Sequence, residues 1–252
     1  MNWIITGASS GIGKAIALEL AKRGESVALF ARSADKLEAV AVEVRSLGAK
    51  AFVFPGDVRY FDQVSAAVRD AGAQMGPLDA AASCAGLGHL APFAEQSSEQ
   101  WREMLETNTL GAMHLVKAVL PGMLERGQGR IGIISSILGR MGFSGMAVYA
   151  ASKFALHGFV QGLRAELRKT PVSLTLICPG TVETPFLEKA GRAQIPRQDR
   201  YLPHLKPEQV ARATVVAVLK RKKMVTLPAI ARLLLRLHDL FPNTIERIFY
   251  WF

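Results

Sequence analysis

The chain has 252 residues, half of them apolar, with 31 Lys or Arg against 21 Asp or Glu and a formal net charge of +10. So apolar a chain buries enough surface to offset its conformational entropy, which excludes intrinsic disorder, and two cysteines exclude a disulfide-dense scaffold or a multi-cysteine zinc module. The charge excess leaves open a nucleic acid, an anionic membrane, an anionic ligand or only a basic surface.

Short β-branched or apolar runs alternate with longer helical patterns. Strands are predicted at Trp3–Thr6, Ser26–Ala31, Lys50–Phe54, Asp79–Ser83, Arg130–Ser135, Ser173–Cys178 and Met224–Leu227. Helices are predicted at Ile12–Arg23, Asp35–Leu47, Phe61–Gln74, Gln100–Leu124, Ala147–Arg168 and Pro207–Leu219. Nearly continuous apolar runs read as strands covered on both faces. The βαβα rhythm gives an α/β, Rossmann-type doubly wound parallel sheet of about seven strands between two helical layers. No linker or repeat divides it, so one domain is expected, with a core over 1–227 and an extension over 228–252. Met1-Asn2-Trp3 runs straight into Ile4-Ile5-Thr6-Gly7 without a basic leader, and no apolar run reaches the ~18 residues of a spanning helix. The expected setting is cytoplasmic, with Cys84 and Cys178 as free thiols.

The first strand ends in Thr6-Gly7-Ala8-Ser9-Ser10-Gly11-Ile12-Gly13, and a helix follows at once. Gly7 permits a tight turn, while Gly11 and Gly13 let backbone and helix approach a pyrophosphate at the helix N-terminus. Ser9, Ser10 and Ile12 share that turn. The second strand should end on an acidic residue if it met a ribose 2′-hydroxyl. Arg32 and Ser33 stand there instead. A guanidinium pairs with a 2′-phosphate, so NADP fits better than NAD. Asp57, followed by Val58, is placed either to meet the adenine edge or to cap the next helix.

Tyr149 and Lys153 are four apart in a helical stretch and share one face. An ammonium beside a phenol should lower the phenol pKa toward the range of a general acid/base. Ser136 follows the fifth strand, near the sheet edge where open α/β folds bind ligands.

With these motifs, and with Ser83-Cys84-Ala85-Gly86, Thr107-Asn108-Thr109-Leu110-Gly111 and Pro179-Gly180-Thr181-Val182-x-Thr184, the chain resembles the short-chain dehydrogenase/reductases of the classical type over about residues 3–227. The resemblance implies hydride transfer to or from a nicotinamide. It implies that Tyr149 protonates the carbonyl oxygen, that Ser136 hydrogen-bonds it, that Lys153 holds the nicotinamide ribose and lowers the Tyr149 pKa, and that Asn108 positions a relay water. Pro179, Gly180, Val182 and Thr184 would flank the nicotinamide amide and pyrophosphate. Cys84 stands where the family usually has a second Asn, so Cys84, Ala85 and Gly86 would touch the cofactor mainly through backbone. A homodimer or homotetramer through the helices Gln100–Leu124 and Ala147–Arg168 is also implied.

Glu183–Lys206 matches the family's substrate-binding loop in position. Its Phe186, Leu187, Ile195, Tyr201 and Leu202 suggest a greasy substrate; its Lys189, Arg192, Arg197, Arg200 and His204 would meet an anionic group or only solvent. Leu138, Phe143 and Met146 should face the same pocket, and Gly86 to Phe93 should form another wall with His89 near the mouth. No metal is expected, because His89 has no partner at ligand spacing. In the tail, Pro242 should divide two amphipathic helices. Their apolar faces, with Arg232 and Arg236, the aromatic end Phe249-Tyr250-Trp251-Phe252 and the nearby Lys220-Arg221-Lys222-Lys223, suit either a substrate entrance, subunit packing or a membrane interface at the cytosolic face.

The expected activity is NADPH-dependent reduction of a ketone or aldehyde, of the lipophilic kind in view of the loop, by hydride transfer. The alternatives are an alcohol or hydroxysteroid dehydrogenase working oxidatively and a non-catalytic NADP-binding regulator, against which Ser136, Tyr149 and Lys153 argue. No recognition motif supports a nucleic-acid partner.

Overall fold

The computed structural model describes residues 1–191 and 203–250, with side chains through residue 247. Arg192, Ile195, Arg197, Arg200, Tyr201 and Leu202 of the expected substrate loop, and Trp251 and Phe252 of the tail, lie outside the described residues.

The strands are β1 Asn2–Thr6, β2 Ser26–Ala31, β3 Ala51–Pro55, β4 Ala80–Ser83, β5 Gly129–Ile134, β6 Val172–Pro179 and β7 Met224–Leu227. They form one parallel sheet of seven strands in the order β3-β2-β1-β4-β5-β6-β7. The helices are α1 Gly11–Ala21, α2 Ala34–Ser46, α3 Phe61–Met75, α4 Ser98–Leu105, α5 Gly111–Glu125, α6 Ala147–Glu166, α7 Pro185–Gly191, α8 Pro207–Leu219, α9 Ala229–Leu240 and α10 Pro242–Tyr250. Strand residues point alternately to the two faces. Trp3 and Ile5 therefore pack with the apolar sides of α1, α2 and α8, while Ile4 packs with those of α3, α5 and α6. Helices thus cover both faces, as the unbroken apolar strands require.

The chain winds outward from β1 to β3, then returns to place β4 on the other side of β1. This reversal opens a crevice beyond the C-terminal ends of β1 and β4. Thr6 and Ser83 face each other there, and the Cys84 amide donates to Thr6 Oγ1 at 3.2 Å.

Two segments depart from the expected outline. The single helix predicted over Gln100–Leu124 is split by a π-helical turn, Glu106–Leu110. The wider turn rotates Asn108 and Thr109 into the interior, where both are buried. The expected loop Glu183–Lys206 begins with helix α7, with Pro185 as its first residue, where a missing N–H costs nothing. Its ends are pinched together: Val182 bridges Leu205, and Glu183 donates its amide to the Leu205 carbonyl at 2.9 Å.

The tail divides at Pro242 as expected, into α9 and α10. The basic cluster Lys220–Lys223 precedes β7 and α9 follows it, so a four-residue strand, about 13 Å long, separates the cluster from the start of α9. No helix among the described residues is long and apolar enough to cross a membrane.

Candidate active site

At the end of β1 the chain turns through Gly7 (φ +67°) and Gly11 (φ +52°), a backbone region that L side chains rarely adopt. Space is as restrictive as φ. A Cβ on Gly13 would lie 2.3 Å from the Gly7 carbonyl oxygen, and one on Gly7 would lie 2.7 Å from the Ala85 nitrogen. Larger residues would push α1 off the turn and the turn off β4. Ser10 precedes α1 but its side chain makes no capping hydrogen bond. The first-turn amides of α1 are thus left uncapped toward the crevice, which suits a phosphate group.

Arg32, exposed after β2, lines the same crevice with Ser33 and Lys36. Asp57 lies opposite. It is not the cap of α3, whose N-cap is Tyr60. Its Oδ1 accepts from the Arg59 amide at 3.0 Å and its Oδ2 from the Arg59 guanidinium at 2.7 and 2.9 Å. Burial acts to raise the Asp57 carboxyl, but the bonds and charge of Arg59, with the charge of Arg32, outweigh it and hold the pKa below the usual value.

Ser136 follows β5, and Tyr149 and Lys153 lie in the first two turns of α6. Lys153 is buried, and its Nζ donates to the Ile134 carbonyl at 3.2 Å and lies 5.7 Å from the centre of the Tyr149 ring. Burial lowers the Lys153 pKa to about 8, with Cys84 and Cys178 acting the other way. Burial raises the Tyr149 phenol to about 12, and hydrogen bonding with Ser136 opposes that rise. The expected lowering of Tyr149 by Lys153 is therefore not what this site shows. Desolvation of the phenolate outweighs an ammonium held nearly 6 Å from the ring. At neutral pH the phenol is a proton donor.

Asn108 sits behind the cavity wall. Its Oδ1 accepts from the Leu87 amide at 2.8 Å, and its Nδ2 donates to the Leu87 carbonyl at 2.9 Å and to Ser152 Oγ at 3.0 Å. The side chain thus pins the segment after Gly86 to α6, next to Lys153. Cys84 is a neutral thiol, raised by burial to about 12, and the hydrogen bond its backbone N–H donates to Thr6 Oγ1 keeps the β4 end in place without an Asn side chain.

One cavity of about 520 Å³, within the usual range for small-molecule sites, runs from Arg32 past the glycine turn to the phenol. The cofactor residues expected from the sequence line it, Gly7, Ser9, Ser10, Gly11, Ile12, Gly13, Arg32, Ser33, Asp57, Val58, Cys84, Ala85, Gly86, Pro179, Gly180, Val182 and Thr184, and so do Leu138, Phe143, Met146, Phe186 and Leu187 on the substrate side; Phe93, at the end of the expected wall, is exposed and does not. Ser136, Tyr149 and Lys153 line it too. The uncapped turn, the two cations at one end and the apolar far end fit a phosphorylated dinucleotide beside an apolar substrate. The Phe186 and Tyr149 rings lie 5.6 Å apart, so α7 covers the phenol. His89 stands on the lining with Glu103, Nε2 to Oε2 3.0 Å. Leu87, Gly88, His89 and Leu90 of the expected Gly86–Phe93 wall line the cavity, whereas sequence reasoning did not single out Lys36 or Leu234. An amphipathic pattern marks Leu234 as apolar but does not say what it touches.

The family model described as short chain dehydrogenase matches residues 2–195. The ketoacyl reductase HetN of Nostoc sp. is 34% identical over 255 residues, covering 99% of this chain and 88% of that protein. The 3-ketodihydrosphingosine reductase of Mus musculus is 34% identical, covering 84% of this chain and 66% of that protein. A crystal structure of an actinorhodin polyketide ketoreductase with NADPH superposes with a TM-score of 0.81 at 31% identity, covering 90% of this chain and 95% of that one. A sheet that reverses at a glycine turn, a phenol and a lysine one helical turn apart beyond it, and a sequence match through both place this chain in the short-chain dehydrogenase family of oxidoreductases.

Proposed function

We propose that the protein is an NADPH-dependent reductase of lipophilic ketones or aldehydes. The observation that carries this reading is the shared cavity: Ser136, Tyr149 and Lys153 open into the same space as the glycine turn and Arg32. Arg32 and Lys36 supply positive charge where an acidic residue would otherwise select a free ribose hydroxyl, which favours the 2′-phosphate of NADP. Leu138, Phe143, Met146, Phe186 and Leu187 favour an apolar substrate. The relatives named for ketoacyl and ketosphingoid reduction, and the ketoreductase with NADPH, support the same reading.

The dinucleotide supplies the hydride when bound. The Ser136 hydroxyl and the Tyr149 phenol hold the substrate oxygen, and the phenol gives up its proton as charge develops there. A phenol raised to about 12 is protonated at neutral pH, which suits donation in the reductive direction. Lys153 brings positive charge to the site and would hold the ribose of the bound dinucleotide. Asn108 holds the wall beside Lys153 through Leu87 and Ser152. The Phe186 ring shields the reacting atoms from water.

An NADPH-oxidation screen over ketones and aldehydes of graded chain length tests this, with NADH and with alcohols plus NADP in parallel. Oxidation of NADPH by apolar carbonyls is expected. Turnover of alcohols alone would point to an oxidative dehydrogenase, and dinucleotide binding without any turnover to a regulator.

A further inference from the structure

Helix α9 follows the family match, which ends at residue 195, yet it reaches the cavity. Leu234 lines the same space as Ser136, Leu138 and Tyr149. Spacing explains how. Ala231, Leu234, Leu235 and His238 recur at i, i+3, i+4 and i+7, so they share one face toward the protein body. Ala231 and Leu235 are buried, and Leu234 and His238 half-buried.

Only two side chains of α9 are fully covered, so apolar packing alone gives the helix a weak hold. Two further attachments fix it. At its start, Pro228 precedes the helix, and the Leu227 carbonyl accepts from the Gly180 amide at 2.6 Å. Gly180 belongs to the segment expected to flank the nicotinamide. At its end, Asp239 pairs with Arg140. Arg140 closes the short turn Ile137–Gly139 that follows Ser136. The helix is thus strung between two segments of the active site, with Leu234 midway.

We infer that α9 is the specificity wall of the substrate pocket, in which Leu234 limits the length of the apolar chain that a carbonyl substrate carries past the Ser136 turn and Arg140 and Asp239 are the positioning pair that holds the wall. The inference rests on the carbonyl-reductase reading and names its substrate class: carbonyl compounds with a flexible alkyl arm. Arg140 and Asp239 touch no reacting atom and act through Leu234.

The test uses the full chain and methyl ketones from butanone to decanone. Calorimetric binding in the presence of NADPH and kcat/KM are both measured. Leu234→Trp is expected to lower the decanone-to-butanone ratio of kcat/KM about ten-fold or more, because specificity in an apolar pocket scales with the methylenes it admits. Leu234→Ala, a milder change to folding, should raise that ratio. Asp239→Lys should alter the ratio, chiefly through KM for the longer ketones, and the swapped pair Arg140→Asp with Asp239→Arg should restore it. An unaltered ratio in both Leu234 variants, or an equal loss over the whole series, overturns the inference. Should the wild type bind the longer ketones without reducing any, the reductase reading fails, and the ratio of binding constants across the variants decides the wall by the same criteria. Should it bind none of them, the wall has no alkyl chain to limit and the inference falls.

Discussion

Asn108 on the π-helical turn donates to the hydroxyl of Ser152, 3.0 Å away and one residue before Lys153. Thr109 adds a second bond, its Oγ1 donating to the Ser152 carbonyl at 2.9 Å, and Ser135 Oγ donates to the Lys153 carbonyl at 3.3 Å. The backbone that carries Lys153 is therefore tied to the π turn and to the end of β5 together. Asn108→Ala would remove a buried side chain and leave the half-buried amide of Leu87 without its acceptor. The expected cost is about 2 kcal/mol of stability, read as a lowered urea midpoint, together with a fall in kcat. An unchanged midpoint would show that these bonds do not hold the site.

Lys153 should set the alkaline limb of the activity profile. Burial places its pKa at about 8, below the usual 10.5. The ammonium is then present below that value and lost as pH rises through it. For reduction, kcat/KM should be level toward neutral pH and fall above about 8. Tyr149, at about 12, stays protonated over this window and adds no limb of its own. A profile level up to pH 10 would contradict the need for a charged Lys153.

Much of this site was legible because its signals are local. Tyr149 and Lys153 share a helix face by spacing alone, and the glycine turn sits at a strand end that the apolar run of Trp3–Thr6 announces. The rest depends on contacts far apart in sequence. A π turn adds one residue to a helix whose polar and apolar pattern hardly changes, so Gln100–Leu124 reads as one helix. The direction of the Tyr149 shift depends on burial, which the Ser136 hydrogen bond only partly opposes and which spacing to Lys153 does not report. Leu234 belongs to a stripe that fits core, surface or pocket equally well until α9 is placed.

The choice of cofactor rests on Arg32. If the proposed pairing with a 2′-phosphate holds, replacing it with Ala should remove a charge-assisted contact worth about 1.5–3 kcal/mol. The preference for NADPH over NADH, taken as a ratio of kcat/KM, should drop by at least about ten-fold. An unaltered ratio would remove Arg32 from the account.

The outer face of α9 bears on the expected membrane contact. Ile230, Leu233, Leu237, Leu240 and Phe241 are exposed and form one stripe, with Arg232 and Arg236 exposed beside it. Such a face suits an anionic bilayer. The intact protein should sediment with vesicles containing phosphatidylserine, and Leu237→Asp with Leu240→Asp should release it. Absence of sedimentation with the intact chain ends this expectation, and a dimer in solution that the same variants break would assign the stripe to a second copy.

In the proposed reaction the Tyr149 phenol gives its proton to a carbonyl oxygen in a site that holds NADPH independently of that proton. Tyr149→Phe tests it most directly, by comparing NADPH affinity from fluorescence titration with the rate of NADPH oxidation by the best carbonyl from the screen. The expected result is a Kd for NADPH close to that of the wild type and a kcat lower by about 10²-fold or more. Turnover retained within a few-fold, with NADPH still bound, would contradict it.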